Sequence, residues 1–215
     1  AQITHSAVPH EQILPTGEHT EITERLTPEA GTVITYHDVS AMRKANAEIE
    51  TLAFYDALTG LPNRRLLLDR LAQAIAAAER SGQWGGLLFL DLDHFKVVND
   101  TMGHEVGDQL LIQVAQRLTV CVRDTDTVAR LGGDEFVVML KNLSTDKTQA
   151  AQVAKRIGED MLQTLNQPYL LGDLPYRSTS SPGATLFAAY EHNAGALLTQ
   201  ADIARYQVKE LRGNA

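Results

Sequence analysis

The stretch ARLGGDEFVVML, residues 129–140, sets the tightest limit on how this chain can fold. Two apolar runs, DTVARL and FVVML, flank Gly132, Gly133, Asp134 and Glu135. Glycine adopts the positive φ that a tight hairpin turn favours, so the spacing predicts two antiparallel strands joined by a two-residue glycine turn. Turn formation accounts for the glycines. It does not account for two carboxylates beside them, interrupting what is otherwise a buried sheet.

The rest of the chain alternates helical and extended patterns around that hairpin. NRRLLLDRLAQAIAAAERSG reads as an amphipathic helix with Asn63 as its cap, and GGLLFLDLD as a short apolar strand ending in Asp91 and Asp93. Residues 105–123 place Leu110, Leu111, Val114, Leu118 and Val122 on one helical face, and a longer helix follows over 147–165. PYLLGDLPYRSTS and GATLFAAY predict two further strands, and residues 195–211 a final helix. With 44% hydrophobic residues in a chain of 215, there is enough apolar side chain for a real core. Strands and helices mixed in this way, with antiparallel hairpins, predict an α+β fold: a central mixed or antiparallel sheet flanked by helices.

Residues 1–16 carry little pattern. EHTEITERL and GTVITYHDV, on either side of the TPEAG turn, predict a second hairpin. Two strands alone are marginal in water, so this hairpin belongs to a larger module or packs on something else. Val39, Met42, Ala45, Ile49 and Leu52 then recur at spacings of three and four, tracing one narrow apolar seam along a helix that TGLPN at 59–63 ends. That seam suits a partner helix or the surface of its own domain.

Composition removes some functional classes. The net charge is −8, from 19 basic and 27 acidic residues with no basic block, which argues against a nucleic-acid-binding surface. No apolar run approaches the roughly 20 residues that span a bilayer, and Cys121 is the single cysteine. The expectation is a soluble cytoplasmic chain without disulfides. An anionic small molecule remains a suitable substrate where divalent cations intervene.

The carboxylates point to such cations. If the strand ending in Asp91 and Asp93 lies beside the hairpin carrying Asp134 and Glu135, three or four acidic groups meet at one sheet edge. A hard divalent ion relieves their repulsion, and Mg²⁺ is commonly held by one or two carboxylates together with substrate phosphates. Paired ions of this kind serve phosphoryl transfer. Solvated turn residues are the plainer reading of each acid taken singly.

DALTGLPNR, DLDHFKVVNDTMGHEVGDQLL and RLGGDEFVV, in this order and at these distances, resemble the GGDEF domains, the diguanylate cyclases of bacterial signalling. The resemblance covers about residues 56–215 and implies a nucleotidyl-cyclase-like architecture with a ferredoxin-like core. It implies condensation of two GTP, one on each of two facing protomers, into cyclic di-GMP and two pyrophosphates. Carried over by motif position, Asp91, Asp134 and the Leu92 carbonyl would ligate Mg²⁺ (or Mn²⁺). Glu135 would be the catalytic acid group, as a metal ligand or as an aid to deprotonating the hydroxyl. Asn99 and Asp108 would recognise guanine. The backbone N–H groups of His94 and Phe95, the Lys96 side chain and Lys209 would meet the phosphates, with Gly132 and Gly133 leaving room for the nucleotide. Arg123 and Asp126 match the spacing of the family's product-inhibition site and its position a few residues ahead of the signature turn; the plainer reading of Arg123 is a cation favourable to a helix C-terminus. Asp93 reads as supporting or structural, and neither His94 nor His104 reads as a metal ligand.

The pattern departs from the family in two places. KELRGN exchanges the Arg and Gly of the usual GRN, which moves Arg212 by about 100° around a helix and puts its phosphate role in doubt. Pro182 stands where an apolar strand residue is usual, and so predicts an edge or a bulge. Upstream, residues 1–38 resemble the end of a PAS-like sensor domain and 39–55 a connecting helix, leaving 56–215 as the GGDEF domain. LNQPYLLGD resembles GGDEF domains that precede an EAL phosphodiesterase domain, so a sensor upstream and an EAL domain downstream are the implied partners.

Overall fold

The computed structural model describes residues 9–27, 31–188 and 194–199. The chain divides into two compact units, Ala1–Ala53 and Phe54–Ala215. Among the described residues no helix is long and apolar enough to cross a membrane.

The first unit holds an antiparallel sheet of β1 (His10–Ile13), β2 (His19–Leu26) and β3 (Thr32–Asp38), in the order β1-β2-β3, followed by α1 (Ser40–Phe54). The hairpin expected around TPEAG is therefore β2–β3, and β1 is an addition that the sequence did not reveal. Asp38 starts α1 by accepting the Ser40 backbone N–H at 2.9 Å, and hydrogen bonds from Ser40 hold its carboxyl below the usual value. Along α1, Met42, Ile49 and Leu52 are all more than half exposed. The helix stops at Phe54, within one residue of the 39–55 expected and ahead of TGLPN. Beyond it the chain forms a turn: the Asp56 carboxylate accepts the Thr59 N–H at 2.9 Å and its hydroxyl at 2.6 Å, and Tyr55 bridges Pro62.

Among the described residues the second unit is built on a four-stranded antiparallel sheet. Its strands are β4 (Trp84–Leu92), β5 (Thr127–Gly132), β6 (Glu135–Ser144) and β9 (Ser180–Phe187), in the order β5-β6-β4-β9. Helices α2 (Arg64–Ser81), α3 (Phe95–Met102), α4 (His104–Val120) and α5 (Lys147–Leu165) surround it. One sheet face, with Leu88, Leu90, Phe136 and Val138, meets Leu110, Leu111 and Leu118 of α4 and Met161 of α5. The other, with Leu87, Phe89, Val137 and Met139, meets Leu67 and Leu71 of α2 and Leu197 and Leu198 of the helical segment 194–199. Burial on both faces explains why β4 and β6 read as continuous apolar runs without alternation.

Several expectations need adjustment. PYLLGDLPYRSTS is not one strand: it folds on itself as β7 (Tyr169–Leu171) and β8 (Leu174–Tyr176) around Gly172. Helix α4 begins at His104 and ends at Val120, short of Val122. Arg117 in its last turn donates to the Gln167 and Pro168 carbonyls at 2.6 Å each and stacks on the Tyr169 ring, so α4 holds the segment leaving α5. Pro182 lies in β9, which is an edge strand among the described residues, as its missing N–H requires. Residues 194–199 are helical; the remainder of the final helix expected over 195–211, with Lys209 and Arg212, lies outside the described residues.

Candidate functional site

Register places the first pair of carboxylates. In β4 and β6, Leu87 faces Met139, Phe89 faces Val137 and Asp91 faces Glu135. Directly opposed residues point to the same face of a sheet, with Cβ atoms about 5 Å apart. Asp91 and Glu135 thus stand side by side where the apolar rows end, Asp91 only 7% exposed and Glu135 half-buried. Like charges so opposed repel, and burial of Asp91 strengthens the repulsion. Side by side, the two carboxylates offer hard oxygen ligands to a cation.

The turn differs from the expected glycine pair by one residue. Gly132 still pairs with Glu135, so the two loop residues are Gly133 and Asp134, and the register slips between Arg130 and Gly132. Gly132 and Gly133 have φ of 144° and 51°, where a side chain would be strained. The bulge re-aims the chain as bulges near sites commonly do. Asp134 is half-buried in the turn.

Arg130 fixes that turn, and its only sign in the sequence is a basic residue in an apolar strand. Its Nη1 donates to both Asp56 carboxylate oxygens at 2.9 and 3.1 Å. Its Nε and Nη2 donate to the Gly133 carbonyl at 3.0 and 2.7 Å. Burial pushes the Asp56 carboxyl up, but hydrogen bonds from Thr59 and Arg130 outweigh it and hold the group below its usual value. The turn is therefore tied to the loop just after α1. Asp56 lies in DALTG, which matters here as structure.

At the C-terminal end of β4 the chain enters α3 through His94, a non-glycine residue at φ 61°. This kink starts α3 within three residues of the end of β4. Of the two N–H groups expected to meet phosphates, that of Phe95 lies in the first turn, together with that of Lys96, while His94 is the cap residue before it; a helix's first turn is the position that receives anions. Asp93 belongs to the framework: its backbone N–H donates to the Thr179 carbonyl at 2.9 Å, and its carboxylate accepts the Thr179 hydroxyl at 2.8 Å. It holds the approach to β9.

Asn99 and Asp108 lie on the neighbouring helices α3 and α4. The Asn99 amide packs on Gly107, where any Cβ would overlap its oxygen. Among the described residues nothing hydrogen-bonds that buried oxygen, which suits an acceptor reserved for a ligand. Asp108 is exposed one residue away from Gly107.

Arg123 and Asp126 sit at the opposite end of the sheet, in the loop from α4 to β5. Both Asp126 carboxylate oxygens accept backbone donors, Arg123 N–H at 3.2 Å and Lys141 N–H at 3.0 Å. Asp126 therefore shapes the loop, while the Arg123 side chain is exposed. A cavity of about 440 Å³ lined by Arg70, Asp124, Asp126 and Lys141 opens beside it.

Among the described residues no three Asp, Glu, His or Cys side chains are grouped closely enough to hold a metal by themselves. Two carboxylates and a backbone carbonyl at Leu92, completed by phosphate oxygens, nevertheless match how Mg²⁺ is usually held. The donor set, all hard oxygen, fits that ion.

Comparison with known proteins agrees with the motifs. Residues 53–215 match the family model described as diguanylate cyclase, GGDEF domain. The bifunctional diguanylate cyclase/cyclic di-GMP phosphodiesterase MucR of Pseudomonas aeruginosa is 42% identical over 171 residues, covering 80% of this chain and 24% of MucR. The solved GGDEF domain of TpbB from Pseudomonas aeruginosa superposes with a TM-score of 0.68 at 35% identity, over 73% of this chain and 89% of that one. The coiled coil and GGDEF domain of DgcB from Caulobacter crescentus, solved in complex with cyclic di-GMP, gives 0.70 at 28% identity, over 80% and 88%. The chain spans about a fifth to a half of the curated relatives it matches.

Proposed function

Because this chain belongs to the GGDEF family of diguanylate cyclase domains, we propose that it condenses two GTP into cyclic di-GMP with release of two pyrophosphates. Each 3′-oxygen forms a bond to the α-phosphorus of the other nucleotide, the bond to pyrophosphate breaks, and the 3′-proton departs. The reaction needs two facing copies, each carrying one GTP.

The observation that supports this reading is the direct pairing of Asp91 with Glu135 where β4 and β6 meet, next to the first turn of α3. In this account Asp91, the Leu92 carbonyl, Asp134 and Glu135 hold Mg²⁺ or Mn²⁺, which when bound supplies charge neutralisation for phosphoryl transfer. Turnover depends on Glu135. The amides of His94 and Phe95 and the side chains of Lys96 and Lys209 bind phosphate oxygens, and Asn99 and Asp108 read guanine. Gly132 and Gly133 keep the turn free of side chains where the nucleotide approaches. Arg123 and Asp126 form a product-inhibition site, with Asp126 acting through loop shape. The Glu135→Gln variant tests the core of this: we expect normal folding and loss of cyclic di-GMP formation, whereas retained turnover would remove Glu135 from its role.

Residues 1–38 are proposed to end a PAS-like sensor, with 39–55 as the helix that transmits its state and pairs with the same helix of a second copy. A second reading is favoured by KELRGN. In it the domain binds GTP or cyclic di-GMP without turnover and controls a neighbouring phosphodiesterase domain, such as the activity named for MucR. Turnover by the dimer rules that reading out.

A further inference from the structure

Helix α2 opens with Arg64 and Arg65 and has no acidic residue in its first turn. Cations there oppose the helix dipole, which favours negative charge at that end. Arg65 has local compensation, since its guanidinium lies 4.8 Å from the centroid of the Phe54 ring. Among the described residues Arg64 has no ion pair or side-chain hydrogen bond. It is exposed, yet it lines a small cavity of about 70 Å³ together with Phe89, Leu131, Glu135, Leu198 and Thr199.

The position of this cavity is informative. Phe89 and Glu135 lie on the sheet face that carries Asp91, at the end where the apolar rows stop. Three apolar side chains line the cavity, so a charge inside it is less screened than in water. It is too small for a nucleoside, but it has room for a few oxygen-sized groups. A guanidinium and a helix N-terminus on one side both attract negative charge. A metal ion held at the Glu135 carboxylate on the other side would draw phosphate oxygens as well. Phosphate oxygens bound to such an ion are the chemistry that satisfies both sides.

We propose that Arg64 is a substrate-contacting residue that grips the triphosphate of the GTP bound by the same protomer, from the side opposite the first turn of α3. This rests on the cyclase reading for the identity of the ligand. Its planar fork of donors can hold two phosphate oxygens at once. A lysine offers only a point charge there. The triphosphate would then lie between the first turn of α3 and the Arg64 guanidinium, beside Glu135.

The test is binding of a GTP analogue with a methylene bridge between the α- and β-phosphates, which cannot react, in the presence of Mg²⁺. Wild type, Arg64→Ala and Arg64→Lys are compared by calorimetric titration, with guanosine as the phosphate-free control. The expected result is analogue affinity about tenfold weaker in Arg64→Ala and intermediate in Arg64→Lys, the loss of one charge-assisted contact. Guanosine affinity and melting temperature should be unchanged. Analogue affinity in Arg64→Ala within twofold of wild type overturns the assignment. A wild type that binds the analogue through Arg64 but forms no cyclic di-GMP from GTP overturns the cyclase reading alone. A wild type that binds neither the analogue nor GTP overturns both.

Discussion

Replacing Arg130 by alanine should both destabilise the second unit and stop the site from working. Arg130 makes four contacts, two to Asp56 and two to the Gly133 carbonyl, and the side chains of the pair are only 11% and 21% exposed. A charge-assisted hydrogen bond is worth about 1.5–3 kcal/mol, and breaking a fully buried pair costs about 3–5 kcal/mol. Here the Asp56 carboxylate keeps both hydrogen bonds from Thr59, so the loss should be nearer about 2–3 kcal/mol. For a domain of this size that lowers the melting temperature by about 4–12 °C. Arg130→Lys separates the two roles. One ammonium can pair with Asp56, but it cannot also span to Gly133, so stability should partly return while cyclic di-GMP formation stays low. The depressed pKa of Asp56 adds a pH signature. A carboxyl whose folded pKa lies below its unfolded value of about 3.9 contributes stability above that value, and loses it as pH falls through the folded pKa. The stability gap between wild type and Asp56→Asn should therefore be flat from neutral pH down to about pH 5 and close below about pH 4. Thermal melts across pH and a product assay read all of these. An Arg130→Ala protein that melts within 1 °C or so of wild type, below the roughly 2–4 °C expected per kcal/mol, would refute the clamp.

The other predictions are more local. Asn63 caps α2 by accepting the Arg65 and Leu66 N–H groups at 2.9 and 3.1 Å, so Asn63→Ala should cost about 1 kcal/mol, seen as a lower midpoint in urea. Gly107→Ala would push its new methyl into the Asn99 amide. We expect the KM for GTP to rise about tenfold, as when one buried hydrogen bond to a base is lost, with a smaller change in kcat; an unaltered KM would separate Asn99 from guanine. At Gly85 an added Cβ would overlap the Phe187 ring, so Gly85→Ala should destabilise by about 1–3 kcal/mol, measurable by denaturant unfolding.

Much of this architecture can be read from residue patterns, and the exceptions have identifiable causes. Helix α5 runs over the residues its periodicity marks, and Asn63 caps α2, because local signals and burial agree there. Helix α3 is hard to read because it is only eight residues long and is entered through a left-handed histidine, a conformation no propensity favours. The hairpin turn shifts by one residue because Leu131 bulges and takes Gly132 into the ladder. Helix α1 ends at Phe54, close to the 39–55 expected and ahead of the conspicuous breakers Gly60 and Pro62, where the Asp56 turn takes over by side-chain hydrogen bonding. At the site, the acids on β4 and the hairpin are legible from strand ends, and their register comes from pairing. Arg130 is not legible, since its partners lie 74 residues away in sequence and in a backbone carbonyl.

The measurement that bears most directly on the central claim is conversion of GTP in the presence of Mg²⁺ at several protein concentrations, with products separated by chromatography. A cyclase whose reaction is shared between two copies should form cyclic di-GMP with a steeper than linear dependence on protein, and Glu135→Gln should form none. GTP bound by a dimeric protein without any cyclic di-GMP would contradict the account.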